Sequence, residues 1–370
     1  MVISLYFHIP FCQKKCPYCH FFVVPNDDQR RKAFQDALLK EWELRLPLIQ
    51  EHEVASLYFG GGTPSLAPDV IEAVLEKTTQ LKLSPNCEIT VEANPEQITP
   101  ALVKRFKAMG INRLSVGIQS LDEELLKVLG RGHTAQEGIQ AVQTIAQGGI
   151  ENITIDLMDE LPHQTLASWE NTLDQAVQLP ITHLSLYNLT FEKNTVFTKN
   201  EKQLRPHLPT PETCSKMLEM ACVKLEASAL KRYEISAFAK EGYEAIHNTG
   251  YWTGRPFLGL GPSAFSFWEG KRFQNVCHLK KYCETLKQNK VPVDFEECLP
   301  YPANLHEQLA VHLRLHRGVN LKTFPLPPTA QPILEKLKSE GFVLEAGQQI
   351  CLTDKGRLFY DTVAEEIILS

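Results

Sequence analysis

The feature that most constrains this chain is a rhythm. Through its first two thirds, short apolar runs alternate with amphipathic segments. The runs 5–9, 55–59, 88–92, 113–118, 152–157 and 183–189 read as strands. Between them, Phe34, Ala37, Leu38 and Trp42 recur at helical spacing, as do Ile71, Val74, Leu75, Thr78 and Leu81. Ile139, Val142 and Ala146 form a third such face, and Leu166, Trp169, Leu173 and Val177 a fourth. Strand–helix alternation requires a parallel sheet with helices packed outside it. Six units, with a further strand near 233–237, predict an α/β fold, either a partly open (β/α) barrel or a wound sheet. Glu92, Gln119, Asp156 and Asn188 each stand at the end of an otherwise apolar strand. The carboxyl ends of parallel strands build active sites in such folds, so these four side chains predict a polar cavity.

The chain is long enough for two or three units. Its net charge of −6 (38 Lys and Arg against 44 Asp and Glu) argues against a dedicated nucleic-acid surface. The opening stretch lacks a cationic n-region and contains Pro10, so no signal peptide is expected. No apolar run approaches the ~20 residues of a membrane helix, and a cytoplasmic protein is expected. Thr210 and Pro211 are placed to start a helix after the polar connection 199–211. Beyond residue 239 the rhythm gives way to Gly, Pro and aromatics. The expected division is therefore a barrel domain 1–238, a connecting region 239–300 and a small α+β module 301–370. In that module a helix precedes two short strands meeting near Ala346 and Gly347, and a final helix follows. This is a winged-helix-like pattern, for which the acidic balance favours packing over DNA binding.

Directly after the first strand stands Cys12-Gln-Lys-Lys-Cys16-Pro-Tyr-Cys19. Three thiols on one loop at a strand's carboxyl end can converge. Cys16 and Cys19 alone would form a dithiol redox motif, which leaves Cys12 spare. A structural zinc site wants a fourth ligand, for which His8 or His20 is near in sequence. A [4Fe–4S] cluster on three thiolates keeps one iron open, as a catalytic metal site requires. The amino and carboxylate groups of S-adenosylmethionine can chelate that iron. The next strand ends in Gly60-Gly61-Gly62-Thr63-Pro64, where glycines leave backbone polar groups accessible to an amino-acid head group.

The segments LYFHIPFCQKKCPYCHF, LYFGGGTPS, ITVEANPE, LSVGIQS, LGRGHT, ITIDLM and LPHQT occur in this order. From about Leu5 to Trp268 the chain resembles the radical S-adenosylmethionine family of oxygen-independent coproporphyrinogen III oxidases and HemW-type heme chaperones. The resemblance implies an incomplete (β/α)6 barrel with a C-terminal winged-helix-like cap. It implies cluster ligation by Cys12, Cys16 and Cys19. It also implies S-adenosylmethionine contacts at Tyr6, Tyr18, Gly61, Gly62, Thr63, Glu92, Gln119, Arg131 and Asp156, with Phe265 near the adenosine.

Two features point to the chaperone branch. The oxidases carry a further cysteine where this chain has Phe21, and a longer segment ahead of the cluster loop. His247-Asn248-Thr249-Gly250-Tyr251-Trp252 matches the HNxxYW motif of the chaperones and implies heme binding through His247, Tyr251 and Trp252. A neutral imidazole can ligate iron, and Tyr and Trp offer flat apolar faces to a porphyrin. The implied partners are heme as cargo, a heme-accepting protein that can be membrane-associated, and an electron donor if S-adenosylmethionine is cleaved. The implied alternative is oxidative decarboxylation of coproporphyrinogen III.

The chain departs from the family pattern at His20, at Glu160 and Ser263 (each in place of glycine), and at Phe265 in place of histidine. Glu160 is expected near the barrel mouth. The remaining cysteines lack ligand spacing and read as small hydrophobes. His312 and His316 fall four apart on a predicted helix, without a third ligand.

Overall fold

The computed structural model describes residues 1–369 and sets all six expected runs side by side. The barrel strands are Val2–Ile9, Glu53–Gly61, Lys82–Ala93, Arg113–Gln119, Asn152–Asp159 and His183–Asn188. Each pairs parallel with the next. The intervening helices Asp28–Ile49, Pro68–Thr78, Ala135–Gln147 and Leu166–Ala176 bury the apolar faces read from the sequence. Local chemistry starts them. Thr134 and Glu137 form a capping box, and Asp27 accepts from the Arg30 N–H. The helix Pro211–Ala227 begins as expected, with the Thr210 side chain accepting from the Thr213 N–H.

The barrel does not close. Beyond the sixth strand the chain adds an antiparallel pair, Ala237–Ala239 and Lys231–Glu234, where the sequence suggested a single strand. At the other edge Phe257–Leu260 pairs parallel with the first barrel strand. It is followed outward by the antiparallel strands Phe265–Trp268, Lys271–Asn275 and Val293–Cys298. Among the described residues this makes one sheet of twelve strands, and the expected connecting region supplies four of them. No β/α rhythm marks these strands in the sequence because they are short and only the first of them runs parallel to a neighbour. A buried carboxylate fastens this extension to the first helix. Glu41 accepts from Tyr282 Oη at 2.6 Å, Asn275 Nδ2 at 2.7 Å and the Gly261 N–H at 2.9 Å.

The C-terminal module has its own apolar core around Leu309, Leu334, Ile350 and Val363. The helix Ala330–Ser339 leads into the hairpin Val343–Ala346 and Gln349–Leu352, and the helix Tyr360–Ile368 closes the module. The helix predicted around His312 spans Ala303–His312 and packs against that closing helix. It ends at His312, so His316 lies beyond it and the two imidazoles do not share a helical face.

Glu160 and Ser263 adopt φ of 58° and 68°. This is the left-handed region where the Cβ of an L-residue is crowded, which is why glycine suits both positions. Glu160 follows directly on the carboxyl end of the barrel strand Asn152–Asp159. It borders a polar cavity of about 460 Å³ against Arg232, Arg314 and Tyr360, between the barrel and the C-terminal module. Replacing Glu160 with glycine should raise the unfolding free energy by about 1 kcal/mol. It also relieves the like charge beside Asp159. Urea denaturation with an unchanged slope and a higher midpoint would show this.

Candidate functional site

The cysteine loop leaves the first barrel strand at the carboxyl face of the sheet. Its three thiols border one cleft of about 390 Å³, together with Tyr18, Gly61, Gly62, Thr63, Glu92, Gln119, Arg131, Asp156 and Asn188. All four polar strand ends therefore meet there, as their register predicted. Tyr6 and Phe265 do not border this cleft and line a neighbouring cavity instead. Phe265 is 48% exposed on the antiparallel extension.

A polar lattice holds the loop. Cys12 Sγ lies 3.5 Å from Thr63 Oγ1, and Arg131 Nη1 donates to Cys16 Sγ at 3.5 Å. Arg131 Nη2 donates to Asn94 Oδ1 at 2.7 Å and to the Gly117 carbonyl at 2.5 Å. Asn94 Nδ2 completes the circuit to Thr63 Oγ1 at 3.2 Å. Asn94 was not singled out by the sequence reading, although it follows Glu92 and Ala93 in the same strand-end motif. Glu92 accepts from Tyr58 Oη at 2.8 Å and from the Gly61 N–H at 3.1 Å. Asp156 accepts from Ser115 Oγ at 3.3 Å.

The glycines are demanded by geometry. A Cβ on Gly62 would lie 2.6 Å from the Phe11 carbonyl oxygen. Gly61 has φ of 113°, and a Cβ there would fall 2.7 Å from the His8 ring. His8 itself is committed, with Nδ1 3.1 Å from Tyr6 Oη and Nε2 2.9 Å from the Phe22 carbonyl. Burial lowers its pKa to about 4. It is thus a structural residue and not an open ligand for the zinc alternative.

Burial raises Cys12 to about 11 and also raises Cys19. Half-buried thiols that resist ionisation are stabilised as thiolates by a bound cation, so loading a metal here releases protons. Three thiols around a cleft, Arg131 beside one of them with its buried Nε unpaired, and an adjoining glycine cradle fit a [4Fe–4S] cluster with an open iron.

The second cavity is larger, about 900 Å³. Its walls include Phe22, Tyr251, Trp252, Phe257, Phe265 and Phe267, and His20, Phe21 and Val23 border both it and the cysteine cleft. Tyr251 and Trp252 reach it from the short helix Ile246–Trp252, but His247 does not. His247 is 1% exposed, and its Nδ1 lies 2.9 Å from Ser56 Oγ. Ser56 donates to Ser4 Oγ, so Nδ1 carries the proton and Nε2 accepts from Tyr251 Oη at 2.7 Å. Both nitrogens are used, and burial drops the pKa to about 3. The expectation of an iron ligand at His247 thus meets a fully bonded side chain that orients Tyr251.

Comparison with known proteins agrees with this architecture. The Radical SAM superfamily profile matches residues 6–176. Heme chaperone HemW of Bacillus subtilis is 31% identical over 370 residues, covering 97% of both chains. The chain belongs to the HemW family of the radical SAM superfamily. The mitochondrial radical S-adenosyl methionine domain-containing protein 1 of Danio rerio is 38% identical over 263 residues. That match spans 70% of this chain and 59% of the fish protein. Coproporphyrinogen III oxidase (HemN) from Escherichia coli shares the fold at a TM-score of 0.85 and 24% identity, covering 99% of this chain and 89% of its own.

Glu92 yields a pH test. Its burial outweighs the two donors and raises its pKa from 4.5 to about 7. The folded chain therefore holds this proton more tightly than the unfolded chain. The stabilisation is complete below pH 4.5 and is lost as pH rises through 7. In the cluster-free protein, Glu92 should account for a loss on the order of 3 kcal/mol across that window. Glu92→Gln should remove this share of the slope in urea midpoints taken from pH 4.5 to 7.5. Equal slopes in the two proteins would refute the assignment.

Proposed function

We propose that this protein is a heme carrier that binds heme in the 900 Å³ aromatic cavity and delivers it to an acceptor protein. The observation that carries the reading is the adjacency of two different sites. One is a cleft of thiols and carboxylates, and the other an apolar cavity whose wall holds Tyr251 and Trp252 of the HNTGYW segment. A macrocycle with a flat apolar face suits aromatic walls. Lys15 and Arg255 bring cations to the same cavity, where heme propionates can be paired. The full-length likeness to Heme chaperone HemW of Bacillus subtilis supports the reading.

In the smaller cleft, Cys12, Cys16 and Cys19 would hold the [4Fe–4S] cluster. Gly61, Gly62, Thr63, Glu92, Gln119, Arg131 and Asp156 would hold S-adenosylmethionine. Bound there, the pair supplies one-electron reductive cleavage chemistry, for which an electron donor is needed. The protein's own residues fix the loop, hold Glu92 and Asp156 half-buried at the cleft and place Arg131 beside Cys16. Among the described residues no helix is long and apolar enough to cross a membrane.

Cys16→Ala should lose the broad visible absorbance of the reconstituted cluster while keeping the wild-type circular dichroism spectrum. Anaerobic hemin titration of the reconstituted protein should give a Soret band that saturates at about one heme per chain. Phe265→Glu, on the cavity wall, should weaken that binding about tenfold, equivalent to about 1.4 kcal/mol. Unsaturable binding, equal in wild type and variant, would overturn the carrier reading. Formation of protoporphyrinogen IX from coproporphyrinogen III with S-adenosylmethionine and a reductant would replace it with the oxidase reading.

A further inference from the structure

The aromatic cavity contains more than one side chain with a lone pair for iron, and the hydrogen bonding distinguishes among them. His8 is excluded because both of its nitrogens are bonded to the protein. Cys277 accepts from Gln274 Nε2 at 3.3 Å on an exposed turn. His20 rests against Phe21 with ring centroids 4.6 Å apart, on an exposed loop, with no backbone group fixing its tautomer.

His312 is different. It sits at the end of the helix Ala303–His312, with Nδ1 2.8 Å from the Gln308 carbonyl. A carbonyl only accepts, so the Nδ1 proton is fixed and Nε2 is left as the lone-pair nitrogen. Metal-ligating histidines are oriented in this way, with the far ring N–H given to a backbone carbonyl. Burial lowers the pKa of His312, which keeps the ring neutral. Its ring is held edge-on against Phe324 at 5.4 Å. The neighbouring Gly254, with φ of 68°, offers no side chain to cover it. His312 lines the cavity together with Trp252 and Arg255.

We infer that His312 Nε2 is the axial ligand to the iron of heme bound in the aromatic cavity. The inference rests on the heme-carrier reading and deepens it. Heme is then gripped between the barrel and the C-terminal module, with Tyr251 and Trp252 as the apolar wall and His312 as the ligand. His247 acts one step back, as a positioning residue that holds the Tyr251 phenol. The C-terminal module thereby gains a direct part in holding the cargo.

The test uses the full-length, cluster-reconstituted protein, hemin and resonance Raman spectroscopy of the ferrous complex. Wild type should show an iron–imidazole stretching band. His312→Ala should lose that band and bind hemin at least about 10-fold more weakly. Added imidazole should restore the band in the variant. His312→Gln, which keeps a polar side chain at the helix end, should behave in the same way. If both His312 variants keep the band and the affinity, the inference is wrong. Loss of the band in His20→Ala instead would assign the ligand to the cysteine loop and leave the carrier reading intact. If wild type itself shows no saturable hemin binding, the carrier reading fails and the ligand assignment falls with it.

Discussion

A single buried cation organises the barrel interior. Arg113 is 1% exposed at the start of the fourth barrel strand, inside the sheet. Its Nη2 donates to Thr154 Oγ1 at 2.7 Å, and its Nε lies 4.0 Å from Glu88 Oε2. An unpaired charge at such depth costs several kcal/mol, so Arg113 and Glu88 depend on each other. Glu88 in turn accepts the backbone N–H groups of Ile246 and His247 at 2.8 and 3.2 Å. The short helix that carries Tyr251 and Trp252 is therefore anchored from inside the barrel. From His247 the polar chain continues through Ser56 to Ser4 on the first strand, and through Tyr251 to the cavity wall. The aromatic wall inherits its position from a charge pair that touches neither cavity.

The two cavities share Lys15, His20, Phe21 and Val23 but little chemistry. One is lined by thiols, carboxylates and amide groups, the other by aromatic rings. Their common wall is the segment immediately after the third cysteine. Any shift of that segment on cluster loading reshapes the aromatic cavity, because the same residues face both. This gives a physical route by which the state of one site can bias the other, with no long pathway through the core.

Much of this was legible in the sequence, for identifiable reasons. Parallel strands buried on both faces announce themselves as apolar runs, and polar residues at their ends stand out against that background. Glu92, Gln119, Asp156 and Asn188 were found in this way. Glycine spacing and the cysteine triplet carried the rest of the cleft. What escaped was whatever depends on tertiary pairing alone. The antiparallel strands after residue 257 are too short to show a period. Arg113 opens the run 113–118, and nothing local indicates that its side chain turns inward. His247 looked like a ligand because a sequence shows a nitrogen without showing whether its lone pair is already taken. His312 showed no third ligand in the sequence, because its orienting partner, the Gln308 carbonyl, is backbone.

The placement of the first strand bears on how the molecule comes to be built. Ser4 pairs with Phe257 on one side and Ser56 on the other. One neighbour is available early during synthesis, whereas the other follows only after about 250 residues of chain. Until then the strand that bears the cysteine loop has an open edge, and Gly261 and Asn275 have yet to reach Glu41. Pairings so distant in sequence form slowly, because the loop between them must first be closed. Maturation of the thiol loop into a metal-ready pocket is thus coupled to completion of the C-terminal third. A nascent chain halted before that point would carry all three cysteines on an unfinished scaffold.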